Sequence, residues 1–403
     1  MPTKPFRTGT HIPARLIAIA GTAALIAAVI TALPATAAPS PRHHSPGAGI
    51  ARTDIVVSTP PAATYRIPDI AVTARGTVIL TYDRRNGSAY DLPNNIDVMQ
   101  RRSTDNGRTW SAPRAIVNYP APQGCGDSSM IVDHDTGRLL LFCTYSAGKV
   151  GFGSSQPGTA DTTDPNTLHV QVRHSDDDGL TWSGPTDINP QVKDKSWRGY
   201  FASSGHGIQT STGRLIQPVV VKDAAGAIHS ADLYSDDDGA TWHAGALLSA
   251  NTDESKAVEL ADGRIVQNSR PDVGGYRFLS TSTDGGRTFS AAAADPNLPD
   301  PHVNGDEIRV NPSAHGPHRH WLLFANAASQ RGRDNLTIRL SCDDGASWPV
   351  SKLLHAGPSG YATMAMLPDG RIGVFAETGT NSYTEKMTFT SFGLDDLGAR
   401  CGH

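Results

Sequence analysis

Little in this sequence points toward a metal, a nucleic acid or a membrane. The 403 residues contain four cysteines, Cys125, Cys143, Cys342 and Cys401. They form no Cys-x-x-Cys pair and no paired-histidine spacing accompanies them, which disfavours a zinc centre. The cluster His315, His318 and His320 sits in a Gly-Pro turn and reads as a solvated loop. Charged residues make up only 18% of the chain, the formal net charge is −4, and Lys and Arg are scattered. No basic stripe offers itself to a phosphate backbone, so a nucleic-acid partner is not expected. There is one long apolar run, 16–33, preceded by Lys4, Arg7 and Arg15 and followed by Pro34-Ala35-Thr36-Ala37. A small-residue end with no stop-transfer cluster describes a cleaved secretory signal rather than a membrane anchor. The expectation is a signal peptide over 1–37, a disordered leader over 38–50, a single domain over 51–403 and a secreted protein free of the membrane. Export permits disulfides. Of the three possible pairings, Cys125–Cys143 (flanking one hairpin) and Cys342–Cys401 (tying the tail to a turn) are favoured.

Glycine (40) and proline (28) are abundant. Much of the glycine belongs to one phrase, Ser-x-Asp-x-Gly-x-Thr-Trp, said five times with small changes: 103–110, 175–182, 235–242, 282–289 and 341–348. The fourth copy ends in Phe289, and the fifth has Ser347 in place of Thr. Asp and Gly suit a tight turn, and the hydroxyls can fasten that turn to itself. The closing aromatic is expected to open a strand and pack inward. A calcium loop is the rival reading, but no copy runs on to the Gly-x₅-Glu of an EF-hand.

A second repeated element alternates with the first. Gly76, Gly137, Gly213, Gly263 and Gly370 each precede a short apolar strand, and a degenerate sixth copy spans 316–324. Each is a hairpin signal. Together the two series give four strands per ~50–60 residues, the size of a propeller blade. The expected fold is all-β, a six-bladed β-propeller of four-stranded antiparallel blades, with an open sandwich array as the alternative. The sixth blade lacks one strand, which residues 54–58 can add from the N-terminal side, hiding the sheet edges.

The residues before each first hairpin should face the central channel. Arg66 in Tyr65-Arg66-Ile67-Pro68, Glu259 and Tyr361 fall in that layer, where small apolar residues would be ordinary. Singly each has a dull reading: a surface Arg, a capped Glu, a core Tyr. Three together suggest a polar site.

Tyr65-Arg66-Ile67-Pro68 followed by several such turns resembles the exo-sialidases, the neuraminidase family of secreted bacterial glycoside hydrolases, in which the turns are called Asp-boxes. The resemblance covers about 54–403. It implies an arginine triad for the sialic acid carboxylate, matched by Arg66, Arg277 and Arg333, with Arg331 and Arg339 close competitors for the third place. Arg85 resembles a further substrate arginine and Glu377 the carboxylate that orients Arg66. Tyr361 and Glu259 resemble the nucleophile and its base, and Asp91 the general acid, with Asp83 and Asp97 nearby. Trp197, Phe201 and Asn304 are expected at the mouth. No cofactor and no metal are implied, and a monomer acting on sialylated glycans is expected. The chemistry is coherent. Guanidinium forks fit a carboxylate, and a neutral tyrosine attacks an anionic sugar where a carboxylate would be repelled. Two other readings stand beside it. One is a hydrolase or trans-sialidase for a related 2-keto sugar acid, KDN or Kdo. The other is a glycan-binding propeller without catalysis, which leaves the Tyr–Glu pair unexplained.

Overall fold

A computed structural model describes residues 49–158, 161–311, 316, 318–398 and 401. The expected signal peptide, nearly all of the expected leader, and His315 lie outside these residues. Five antiparallel sheets carry the chain, one of them joined by a single parallel bridge strand. Among the described residues the only helices are four-residue turns at Asn189–Val192 and Leu394–Leu397. No helix among them is long and apolar enough to cross a membrane.

Four sheets follow the expected order of strand, hairpin, pinned turn, strand. The first runs Ala63–Val72, Val78–Asn86, Ile96–Ser103 and Arg114–Val117. The fourth runs Thr252–Glu259, Ile265–Pro271, Gly275–Ser282 and Ala293–Asp300. The last sheet has seven strands because Val350–Met366 is long enough to serve two partners. Its first half pairs with Asp334–Ser341 and its second half with Ile372–Thr378. The N-terminal strand Ala51–Val57 completes this sheet by pairing with Lys386–Phe392, with Asp54 opposite Thr388.

Each Asp-box closes on itself. In the first, Ser103 Oγ donates to Asp105 Oδ1 at 2.8 Å and accepts from the Gly107 amide at 2.8 Å, while Thr109 Oγ1 donates to Asp105 Oδ2 at 2.7 Å. The same three bonds recur in the other four copies. These carboxylate oxygens are engaged by their own turns. Gly107 has φ +80°, and a Cβ there would meet Phe389 at 2.3 Å, so two demands converge on glycine.

The boxes differ from expectation in where they pack. Their aromatics precede the edge strand instead of opening it: Trp110 comes before Arg114–Val117. Most boxes also rest on the preceding sheet instead of pinning their own hairpin. Gly179 abuts Ile79, Gly239 abuts Leu140 and Gly286 abuts Ile216, while the first box reaches Phe389 of the last sheet. Trp110 and Phe389 meet edge to face with centroids 5.0 Å apart, as do Phe142 and Trp242. The core therefore lies between sheets. One cluster joins Ile131, Leu140 and Phe142 to Leu215, Val219 and Trp242; another joins Ile70, Leu80 and Tyr82 to Phe375 and Phe389. Both disulfides, Cys125–Cys143 and Cys342–Cys401, are formed as favoured.

Candidate active site

The strands Ala63–Val72, Gly124–Val132, Thr252–Glu259 and Val350–Met366 each break register against the strand that follows. The breaks fall between Arg66 and Asp69, Gly126 and Ser129, Thr252 and Ser255, and Ser359 and Ala362. A bulge turns a side chain out of the ladder and re-aims it. The residues inside or beside these four breaks are Arg66, Asp127, Asp253 with Glu254, and Tyr361, and all five line one cleft of about 350 Å³. Two of the breaks hold left-handed backbone at residues with a Cβ, Ile67 (φ 61°) and Asp127 (φ 57°). For a β-branched isoleucine this conformation is strained, as is common where backbone serves a site.

Tyr361 is at the centre. Its hydroxyl donates to Glu254 Oε2 at 2.5 Å and accepts from Arg270 Nη1 at 2.8 Å. Burial pushes the phenol well above its ordinary range, although Arg270 opposes this. It is therefore protonated at neutral pH, and Glu254 is the carboxylate that accepts its hydrogen bond. Burial alone would raise its carboxyl, but Arg270, the Tyr361 hydroxyl and Ser204 outweigh it and hold it below the usual range. Burial raises the neighbouring Asp253 despite its own contact with Arg270.

Three arginines surround the tyrosine. Arg66 and Arg333 place their guanidinium carbons 5.1 and 5.4 Å from the Tyr361 ring centroid. Arg270 is clamped by Asp253 and Glu254, and burial is overcome there by Tyr361 and these carboxylates. Arg66 Nε and Nη2 donate to the two oxygens of Glu377 at 3.0 and 3.2 Å. Glu377 is fully buried and also accepts the amides of Ile67 (2.9 Å) and Tyr361 (3.1 Å). Gly360 makes room for it, since a Cβ there would fall 2.1 Å from Glu377 Oε2.

Asp91 lies on the exposed loop after Val78–Asn86 and pairs with Arg85 at 2.6 Å. Burial of its surroundings works upward, but Arg85 and then Arg66 hold the carboxyl below its ordinary value. Asp127 has the opposite fate: burial, then repulsion from Asp91 and Glu254, push it up to about 7.

The cleft thus gathers Tyr361, Asp91, Arg66 and Arg333, with Arg85 and Glu377 directly behind. Four expected residues stand elsewhere. Glu259 is at the other end of the strand Thr252–Glu259, where it accepts from the Ser211 amide (2.8 Å) and hydroxyl (2.6 Å). Its distance from the cleft follows from the register, because Glu259 faces Ile265 beside the hairpin turn. Arg277 is buried within its sheet, donating to Asn268, Val303 and Asp300. Asn304 lies beneath the cleft, donating to the Ser204 carbonyl at 2.9 Å. Phe201 lines the cleft against Phe152, whereas Trp197 packs on Tyr200 in the core.

Spacing contains the signal for Glu254. Tyr361 stands nine residues before Gly370, and Arg66 and Asp127 each stand ten before Gly76 and Gly137. Nine before Gly263 is Glu254, whereas Glu259 is only four before it. Arg270, on the hairpin partner strand Ile265–Pro271, carries no such mark.

Asp253, Asp272 and His302 bring potential ligand atoms within 4.8 Å of one another at the cleft wall. The Arg270 guanidinium already occupies Asp253, so a cation there would meet another cation.

Fold and site together define a β-sheet protein with Asp-box turns packed between its sheets and an arginine-lined cleft around a Tyr–Glu pair. The sequence family described as a BNR repeat-like domain matches residues 94–374. A sialidase of Micromonospora viridifaciens is 44% identical over 347 residues, 84% of this chain and 52% of that protein. A sialidase of Clostridium perfringens is 31% identical over 358 residues, 80% of this chain and 88% of that one. The solved Hadza microbial sialidase Hz136 superposes with a TM-score of 0.76 at 33% identity, covering 82% of this chain and 66% of that one. The chain belongs to the sialidase family. It spans about half the length of the Micromonospora relative.

Proposed function

We propose that this protein is a secreted exo-α-sialidase that removes terminal sialic acid from glycoconjugates with retention of configuration. The observation that carries the reading is the Tyr361 hydroxyl held between Glu254 Oε2 and Arg270, with Arg66 and Arg333 beside the ring. Arg66, Arg270 and Arg333 bind the sugar carboxylate. Tyr361 attacks the anomeric carbon as its proton passes to Glu254, and the leaving oxygen takes a proton from Asp91. Asp91 then deprotonates the water that attacks the same carbon and returns Tyr361 to its phenol, with the proton coming back from Glu254. A glycosyl-tyrosine intermediate means two inversions and net retention; a tyrosine nucleophile is the known sialidase exception to the two-carboxylate scheme. Arg85 keeps Asp91 ionised in the empty cleft, so Asp91 must leave Arg85 and take up a proton from solvent before it can give one to the leaving oxygen.

The same reading makes the architecture a six-bladed propeller. It counts the seven-stranded sheet as two blades sharing Val350–Met366. The packing of the first box on the last sheet, and of the second, third and fourth boxes on the sheet before each, supports this count. Export is supported by the basic-then-apolar N-terminal sequence and by the two disulfides. A single propeller with its own cleft needs no partner subunit, and a monomer is proposed.

Release of methylumbelliferone from its α-sialoside tests the activity, and proton NMR of the first sugar product tests retention. Tyr361→Phe must lose turnover; wild-type rates in that variant would remove the nucleophile assignment. Faster turnover of KDN or Kdo glycosides would move the substrate to those acids, and transfer to an added lactose acceptor would make the enzyme a trans-sialidase. Binding without turnover would leave a lectin-like propeller.

A further inference from the structure

Beneath the Tyr–Glu pair lies a buried polar support that the proposed chemistry does not use. Ser204 occupies the bend between the strands Gly199–Ala202 and Gly205–His206 and is fully buried. Its carbonyl accepts from Lys256 Nζ and, at 2.9 Å, from Asn304 Nδ2. Lys256 is itself fully buried, two residues after Glu254 on one strand. The next residue, Gly205, has φ +106°, and a Cβ there would lie 2.8 Å from Lys256 Cε and 2.9 Å from Thr363 Cγ2. Backbone and neighbours thus fix Ser204 from below.

The side chain points the other way. Ser204 Oγ lies 2.8 Å from Glu254 Oε1 and 3.4 Å from Asp127 Oδ1. A hydroxyl has one proton to give and can accept from another donor. The shorter contact takes the proton, so Ser204 donates to Glu254. Its contact with Asp127 is then favourable only when Asp127 carries a proton and donates to Ser204. Asp127, raised to about 7, is protonated through the weakly acidic range.

We propose that Ser204 is a positioning residue for Glu254: its hydroxyl holds Oε1 so that Oε2 faces Tyr361, with Asp127 on the other side of the hydroxyl. The proposal rests on the sialidase reading above and deepens it. The groups facing Glu254 are Arg270 and Tyr361 from the cleft side, Asp253 and Lys256 along its own strand, and Asp127 through Ser204. Arg270, Tyr361, Ser204 and Lys256 favour the ionised form. Activity needs that form and is lost as pH falls through the apparent pKa of the coupled carboxyls. Losing one hydrogen bond to a charged group raises that pKa, by about one unit for a bond of ordinary strength.

The test is the pH profile of kcat/KM on methylumbelliferyl sialoside, which reports the free enzyme. In Ser204→Ala the acid limb is expected about one pH unit higher, so turnover just below the wild-type limb falls roughly tenfold. Ser204→Thr, which keeps a hydroxyl, returns the limb toward wild type. An unmoved limb in folded Ser204→Ala, or equal shifts in Ala and Thr variants, would overturn the proposal. If the Ala variant does not fold, Ser204→Cys decides: a weak donor must move the limb upward, and an unmoved limb again overturns the proposal. A wild-type protein with no turnover removes this proposal together with the sialidase reading; an active wild type with an unmoved limb in the variants removes this one alone.

Discussion

Exchanging Glu254 for Gln removes one negative charge and leaves the side-chain volume nearly unchanged. Before the exchange, Oε2 accepts the Tyr361 proton over 2.5 Å and also meets Arg270 at 2.5 Å. Afterwards the tyrosine has no basic acceptor, because Asp253 is committed to Arg270. A positioned general base contributes about 10²–10⁴ in rate, or about 3–5 kcal/mol in the barrier. Glu254→Gln is therefore expected to lower kcat/KM by about 10²–10⁴-fold while the protein remains folded. Glu259→Gln is the matched control. It alters only a contact with Ser211 at the hairpin end, and its stability should stay within about 0.5 kcal/mol of wild type. Steady-state hydrolysis of a fluorogenic sialoside, with a thermal melt of each variant, makes the comparison. The reasoning is falsified if Glu259→Gln loses activity and Glu254→Gln keeps it.

Glu377→Ala leaves Arg66 charged in the protein without its partner and strips two amides of their acceptor; a loss of about 3–5 kcal/mol in urea unfolding is expected, with weaker substrate binding. Double Cys→Ser replacement should cost about 3 kcal/mol for the 18-residue separation of Cys125–Cys143 and about 4 kcal/mol for the 59-residue separation of Cys342–Cys401, read from the same unfolding curves. In the Asp-boxes, the hydroxyls of Thr109 and Thr181 lead in holding Asp105 and Asp177 at about 2. Depressed carboxyls stabilise above their unfolded value near ~4 and lose that contribution as pH falls toward 2. The urea midpoint should fall over that window, and less steeply in Asp105→Asn with Asp177→Asn.

Much of the frame could be read in the chain, because its signals are local. An Asp-box is complete within seven residues, from Ser103 to Thr109, and a hairpin glycine marks a turn wherever it falls. The Tyr-Arg-Ile-Pro stretch likewise carried Arg66 to the cleft. What escaped depends on position within a strand and on which sheet a side chain meets. Glu254 and Glu259 share one strand and one charge, but Glu254 lies in the bulge at Thr252–Ser255 and Glu259 at the opposite end beside the hairpin turn. Arg270 and Arg277 lie on neighbouring strands of one sheet. The first ends in the cleft, whereas the second finds Asp300 and Asn268 inside the sheet. No periodicity distinguishes two arginines whose difference is the partner each one finds across space. The packing of boxes on a preceding sheet was hidden for the same reason.

Glu377 joins the first sheet to the last, since it belongs to Ile372–Thr378 and holds both Arg66 and the Ile67 amide of Ala63–Val72. The two sheets come from opposite ends of the described chain, and their shared fastening is also what fixes an arginine in the cleft. Fraying at either end therefore does not spare the centre. Heat inactivation should coincide with the parting of these sheets, and no active, partly opened form should accumulate on the way. A ligand carboxylate gripped by Arg66 would act as a clasp on that seam, making the bound enzyme slower to come apart and harder for proteases to enter.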